Sequence, residues 1–350
     1  MVFRQQKRTK KAGLTFLPVL MAFGLAACAP TVEQGQSSSE RLALVLSNAD
    51  GDLDIYLVNL DDGQFRNITD NDVNDGQAVW SPDGSKIVYV QSGAGSNDLV
   101  LYDLATDSHR KITDHPGVEM TPHWSPDGES IVYATMRQEE GAGIWRQSIE
   151  SGEARELFRS ATEVVQPRWS PDGRQIAFLE NTVERGSNIL TVPADGGEAR
   201  AVVDDPKAAK TQLRWSPDSN NILFVARREK IVGLYEKDLE SGTDRPIHST
   251  VFIESGGEYS SRDGHIAFMS ARGNGARLQI FVDDGNDARR LTHTDLEESD
   301  LTWLPDESGF LFTRYVDGRF QAMWLDLDSM EEKLIAPSLG GVHYAPRAQP

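Results

Sequence analysis

One cysteine, Cys28, stands in a chain of 350 residues, so neither an internal disulfide nor a Cys-rich metal site can form. Basic residues are in short supply, 35 against 54 acidic ones, for a formal net charge of −19 at pH 7. A surface of that sign repels phosphate backbones, which argues against nucleic acid as a partner and disfavours anionic lipid headgroups. The apolar run from Leu14 to Leu25 is shorter than the ~20 residues a membrane-spanning helix needs. No H-E-x-x-H and no G-x-S-x-G string occurs, which removes the zincin and α/β-hydrolase signatures.

The N-terminal segment has the order of a secretory signal: Arg4, Lys7, Arg8, Lys10 and Lys11, then the apolar run. It ends in Leu25-Ala26-Ala27-Cys28, which resembles the lipobox of bacterial lipoproteins. That resemblance implies cleavage before Cys28, acyl chains on its thiol and new amino group, and, because Ala29 follows, the outer membrane facing the periplasm. Each buried CH₂ adds ~0.8 kcal/mol, so two or three chains hold a soluble domain firmly. The expected division is a signal peptide at 1–27, an acylated Cys28 with a polar flexible tether at 28–40, and one folded domain at 41–350. Without the signal's five basic residues, 30 basic residues face 54 acidic ones, a net charge of −24. Such acidity keeps the domain soluble, and it also steers a cationic protein or ligand towards it.

Repetition dominates the rest. WSPDG begins at Trp80, Trp124 and Trp169, WSPDS at Trp215, a worn SSRDG at Ser260 and WLPDESG at Trp303, at intervals of 44, 45, 46, 45 and 43 residues. A period in that range marks β-propeller blades, none of which buries its apolar faces alone. Pro, Asp and Gly supply a tight reversal. An apolar strand follows, such as KIVYVQ from Lys86, then a third strand such as DIYLVNL from Asp54, then a short fourth strand ending near a Thr. The second, third and fourth strands recur seven times, but the Trp-bearing first strand only six. GVHYAPR from Gly341 reads as the missing first strand, with Tyr344 in the place of Trp. The expectation is therefore an all-β, seven-bladed propeller of four-stranded blades in which the tail completes the blade begun at Leu42, removing an open sheet edge. Six blades with a degenerate flank is the alternative. The seven Trp are expected in blade-to-blade packing, and the once-per-blade Asp, such as Asp83 and Asp127, in structural turns.

WSPDG, an apolar strand, a DIYLVNL-like strand and a KIT-like strand together resemble the TolB-type (PD40, WD40-like) propeller repeat over roughly Leu42 to Ala345. The repeat is also similar to the propellers of prolyl-oligopeptidase-type peptidases, whose chemistry belongs to a separate α/β-hydrolase domain. By resemblance to seven-bladed lyases, His and Gln around a metal in the channel would be needed for an enzyme.

Candidate site residues follow from position. Asp75, Glu119, Lys210 and Glu298 all stand five residues before Trp, on connections that converge at one mouth of the ring. They read as a mostly acidic rim that meets a basic envelope protein or peptide. His123, Arg168 and Arg214 directly precede Trp and fall near the channel, with His343 before Tyr344 as their expected counterpart. Two imidazoles are too few for a metal site, and no cofactor is expected. Asn48 to Asp54 places carboxylates at alternating positions, but Asn59 stands where a calcium loop needs Glu, so a solvated turn is expected. The preferred reading is a lipid-anchored, non-enzymatic binding module of the cell envelope. The alternative is a lyase or hydrolase with its site in the channel.

Overall fold

A computed structural model describes residues 41–49, 51–137, 141–184, 186–228, 230–248, 252–272 and 277–350. The signal segment, Cys28, the tether and Asp50 lie outside the described residues. Among those described there is no helix, and 28 strands form seven four-stranded antiparallel blades. Blades 2 and 3 are additionally joined by one parallel pairing, Asn97 with Val118. Blade 1 is the composite one: His343–Ala348 pairs with Leu42–Ser47, which pairs with Asp54–Asn59 and then Phe65–Asn67. The innermost strands of blades 2 to 7 are Asp75–Trp80, Val118–Trp124, Val164–Trp169, Ala209–Trp215, Glu254–Tyr259 and Glu297–Trp303.

What closes the blades into a ring is apolar surface. Seven buried clusters occur, each made by two consecutive blades. Trp80 packs with Leu44 and Ile55 of blade 1, Trp124 with Val88 and Leu99 of blade 2, and Trp169 with Val132 and Ile144 of blade 3. The seventh cluster joins Ala43, Val45 and Tyr56 of blade 1 to Leu311, Ala322 and Trp324 of blade 7, which seals the circle. Burying an aromatic of this size removes ~150–250 Å² from water, so each wedge contributes several side chains' worth of the ~25 cal/mol per Å² that drives burial.

The repeated turn explains its own sequence. In WSPDG the Ser hydroxyl donates to the Asp carboxylate at 2.5–2.6 Å. The same carboxylate accepts a backbone N–H two residues on at 2.9–3.1 Å. The Ser oxygen accepts the N–H five residues on at 2.8–3.0 Å. Gly84, at φ 67°, takes the left-handed conformation that L side chains resist. Blade 6 departs from the pattern. Its Trp place is held by Tyr259, not Ser260, and its turn is braced from blade 7, where the Glu307 carboxylate accepts from the Ser261 and Arg262 N–H groups at 2.7 and 2.9 Å.

The tail corrects one alignment. Ala348, not Tyr344, takes the Trp place, because the bulge of the strand falls between Tyr344 and Arg347, and the other inner strands have theirs between the fourth and the first residue before Trp. Gln349 donates from its side chain to the Gly84 carbonyl of blade 2 at 2.7 Å. Deleting residues 343–350 uncovers the edge of Leu42–Ser47 and opens the blade 1–blade 7 wedge. The melting temperature, followed by circular dichroism, is expected to fall by about 10 °C or more; an unchanged melt would refute closure by this strand.

Candidate functional site

Each inner strand carries the same sequence of three positions. Five residues before the Trp place stand Asp75, Glu119, Val164, Lys210, Glu254, Glu298 and His343, and all seven are buried. The exposed acidic rim expected of Asp75, Glu119, Lys210 and Glu298 is therefore corrected: their relative exposures are 1, 0, 3 and 0%. They turn inwards because the strand starts under the fourth-to-first connection, and the charge fastens that connection. Glu298 accepts from Thr292 Oγ1 at 2.6 Å and from Arg314 Nη2 at 2.6 Å. Lys210 Nζ donates to the carbonyls of Asp205 and Ala208 at 2.7 and 3.1 Å. Asp75 accepts from Asn71 at 2.6 Å. Glu254 pairs with Arg272. The Thr ending the fourth strand serves the same joint: Thr69, Thr113 and Thr292 each accept a third-strand N–H at 2.7–2.9 Å.

Glu254 and His343 escaped sequence alignment because Tyr259 and Ala348 stand in place of Trp. His343 is thus not a channel residue. It sits at the buried position, its Nε2 3.0 Å from the Leu339 carbonyl. In the Asn48–Asp54 segment, Asn48, Ala49 and Gly51 are exposed, as a solvated turn requires, and only its end turns inwards. Asp54 is buried and accepts from Thr69 Oγ1 at 3.0 Å and Asn67 Nδ2 at 2.8 Å.

Three residues before the Trp place lies a bulge with positive φ in every blade: Gln77, Thr121, Gln166, Gln212, Gly256, Asp300 and Ala345, between 44° and 67°. Their N–H groups turn along the ring, and four are capped by the side chain at the same position one blade earlier. Gln77 accepts from the Thr121 N–H at 2.6 Å, Thr121 Oγ1 from Gln166 at 3.2 Å, Gln166 from Gln212 at 3.1 Å and Gln212 from Gly256 at 2.6 Å. The recurring Gln three residues before Trp was the sequence signal of this chain of bonds. Nothing in composition showed that a bulge stands there.

One residue before the Trp place stand Arg347, Val79, His123, Arg168, Arg214, Glu258 and Thr302 in blades 1 to 7, and the first five line a common cavity. The structure brings together three sequence candidates, His123, Arg168 and Arg214, and adds Arg347, which the tail misalignment had hidden. A cavity of about 440 Å³ opens among Val79, His123, Arg168, Arg214, Arg347 and the turn residues Pro82, Pro126 and Pro171. A second, of about 220 Å³, shares Val79 and the three Arg and reaches Gln77 and Thr121. Burial, then the charges of Arg168 and Arg214, hold the His123 imidazole well below its ordinary range, so it is neutral. Burial, then Arg214 and Arg347, push Arg168 down to about 9. Among the described residues, no three of His, Cys, Asp and Glu are grouped to hold a metal.

The two faces of the ring differ. Hairpins between second and third strands and connections from fourth to first strands share one face, and the WSPDG turns lie on the other. Of the eight large hydrophobic residues exposed among the described residues, seven are on the first face. Val73, Phe252 and Ile253 lie on fourth-to-first connections, and Met136, Val183, Ile231 and Tyr315 lie at second-to-third hairpins. Only Met330 lies on the turn face. The described chain enters the ring there too, at Arg41.

The buried carboxyls set a pH dependence. Burial, then the charge of Asp98, raises Glu119 to about 7, and burial raises Asp75 to about 6. Both oxygens of Glu119 lack a hydrogen bond of good geometry. Such groups bind more protons folded than unfolded, so stability rises as pH falls from about 8 to about 5. The turn carboxylates work the other way: the Ser81 hydroxyl and Ser85 N–H lower Asp83 to about 2, and that stability is lost below about pH 4. Glu119→Gln is expected to raise stability at pH 8 by about 2 kcal/mol and to flatten the slope between pH 5 and 8, measured by urea denaturation. An unaltered slope would contradict a buried, ionising Glu119.

Comparison with known proteins supports one architecture. No curated protein matches significantly in sequence. Among solved structures, the putative TolB from Agrobacterium tumefaciens aligns at 21% identity and TM-score 0.53 over 71% of this chain and 96% of that one. An oligogalacturonate lyase in complex with manganese aligns at 18% and 0.68 over 85% and 86%. A puromycin-hydrolyzing peptidase from Mycobacterium tuberculosis aligns at 14% and 0.68 over 87% of this chain and 53% of that one. At such identities the likeness is one of fold. The TolB beta propeller domain family (PD40) matches residues 26–196 and 152–347, nearly the whole ring, and the chain belongs to that family.

Proposed function

We propose that this protein is a non-enzymatic binding module of the bacterial cell envelope, lipid-anchored through Cys28 and the tether at 28–40, that docks a partner protein. The observation that carries the reading is that, among the described residues, seven of the eight exposed large hydrophobic residues lie on the face opposite the WSPDG turns and opposite Arg41. A partner covering Val183, Ile231 and Phe252 removes their surface from water, and loops on a rigid ring are free to vary for that purpose. The partner presents an apolar patch rather than a basic one, because the carboxylates first expected on the rim are buried. Membership of the TolB propeller family and the lipobox-like Leu25-Ala26-Ala27-Cys28 support the envelope setting.

A lyase and a peptidase share this fold, so a channel-site lyase or hydrolase is the second reading. Here the channel position contributes one imidazole and one carboxylate, His123 and Glu258, beside three guanidiniums. That set is better suited to holding charge than to ligating a metal.

The docking face is tested by photo-crosslinking in cells from Val183 and, as the control on the opposite face, from Met330. A discrete adduct is expected from Val183 alone. The double variant Ile231→Asp, Phe252→Asp, shown folded by its melting curve, should cut it about tenfold. Equal adducts from both faces, or none from Val183, would refute the proposal.

A further inference from the structure

We infer that the central channel binds a small polyanion, a ligand with two or more carboxylate or phosphate groups, admitted at the WSPDG face. This site does not depend on the docking face or on the membrane anchor.

Three guanidiniums converge on the cavity from Arg347 in blade 1, Arg168 in blade 4 and Arg214 in blade 5. Each is half-buried, and each is aimed in the same way: its Nη1 donates to the carbonyl of the residue just before it, at 3.1 Å for Arg168, 3.0 Å for Arg214 and 2.9 Å for Arg347. Arg347 adds a long contact to the Asp300 carbonyl at 3.4 Å. These bonds fix the forks without using up their donors, since a guanidinium has five N–H groups. Among the described residues no ion pair joins any of the three to a carboxylate.

That is unexpected in a chain with 54 acidic residues to 35 basic ones. Elsewhere in the same molecule buried Arg is paired: Arg314 holds Glu298 and Glu332 at 2.6 and 2.5 Å, and Arg272 holds Glu254. The one carboxylate at the same strand position is Glu258, whose charge acts on Arg214 without a salt bridge to it, and whose Oε2 already accepts from the Trp303 N–H at 2.9 Å. Arg168 feels the charges of Arg214 and Arg347, and Arg214 feels the attraction of Glu258 and, after it, the repulsion of Arg347. Guanidinium stays protonated in proteins, and one carboxylate beside three guanidiniums leaves a net positive charge that an anion from outside would neutralise.

Neighbouring groups fit the same ligand. The Trp169 N–H lies 3.4 Å from His123 Nδ1, which leaves Nε2 as the protonated nitrogen and a neutral donor. The Trp169 indole N–H is buried without an acceptor, whereas those of Trp80, Trp124 and Trp215 donate to the preceding blade at 3.0–3.2 Å. Size and spread set the ligand class. A cavity of about 440 Å³ is small-molecule scale. Blade 1 stands across the ring from blades 4 and 5, so a ligand that satisfies all three Arg carries charge at more than one end. Planar forks take carboxylate and phosphate alike, two N–H groups at a time.

Citrate and inorganic pyrophosphate are the probes, each compared with sodium chloride at equal ionic strength and pH 7. The full chain should gain about 5 °C in melting temperature near saturation, and calorimetry should give a dissociation constant that weakens steeply with added chloride. A rise with citrate alone assigns carboxylate, and one with pyrophosphate alone assigns phosphate. Arg168→Gln and Arg214→Gln should each weaken binding at least about tenfold while raising the ligand-free melting temperature, since each removes one of three repelling charges. A purely packing role for these side chains would lower it instead. Neither anion acting beyond chloride, or both Arg variants responding like the parent, would overturn the site. Should a variant not fold, absence of calorimetric heat with the parent protein would overturn it alone.

Discussion

The wedge between consecutive blades is the constraint on which everything else depends. A four-stranded antiparallel blade has two apolar faces and cannot hide either by itself. Seven such blades hide all of them only if the last meets the first. The composite first blade makes that meeting covalently continuous at both ends of the chain. His343–Ala348 supplies its inner strand and Leu42–Ser47 the next, so separating blade 1 from blade 7 also requires unzipping a sheet.

Ring closure then dictates where charge can sit. The inner strands run side by side around a narrow axis, and each presents three layers to it. The first layer is buried and ionisable in six of seven blades, and most of its members are held by side chains or backbone carbonyls of their own surroundings. The second is a bulge, and the third points into open space. An acidic molecule thus holds a basic bore. Its carboxylates are spent on joints and turns, and its unspent guanidiniums face the axis.

Period and turn chemistry made the fold legible before any coordinates, including the use of the tail to complete the first blade. Asp83 and its equivalents were readable as structural because a seven-fold active group is implausible, and each does cap a turn. The site was only half legible. Offsets from Trp grouped Asp75 with Glu119, Lys210 and Glu298 correctly, but a count of residues does not say which way a strand faces beneath a loop, so burial was read as exposure. Arg347 and Glu254 were hidden because Ala348 and Tyr259, respectively, fill the Trp place. The bulge that shifts every inner strand by a residue is a backbone event, and Gln77, Gln166 and Gln212 announce it only once its geometry is known.

The relay of bulge caps has a beginning and an end. It runs from Gln77 through Thr121, Gln166 and Gln212 and stops at Gly256, which has no side chain to pass on. Blades 2 to 6 are therefore laced along their inner rim, and the arc from blade 6 through blades 7 and 1 to blade 2 lacks that lacing. A hoop stiffened over most of its circumference flexes where the stiffening ends. Arg347 of blade 1 stands within that arc, so one of the three cations of the bore is carried by its least laced part.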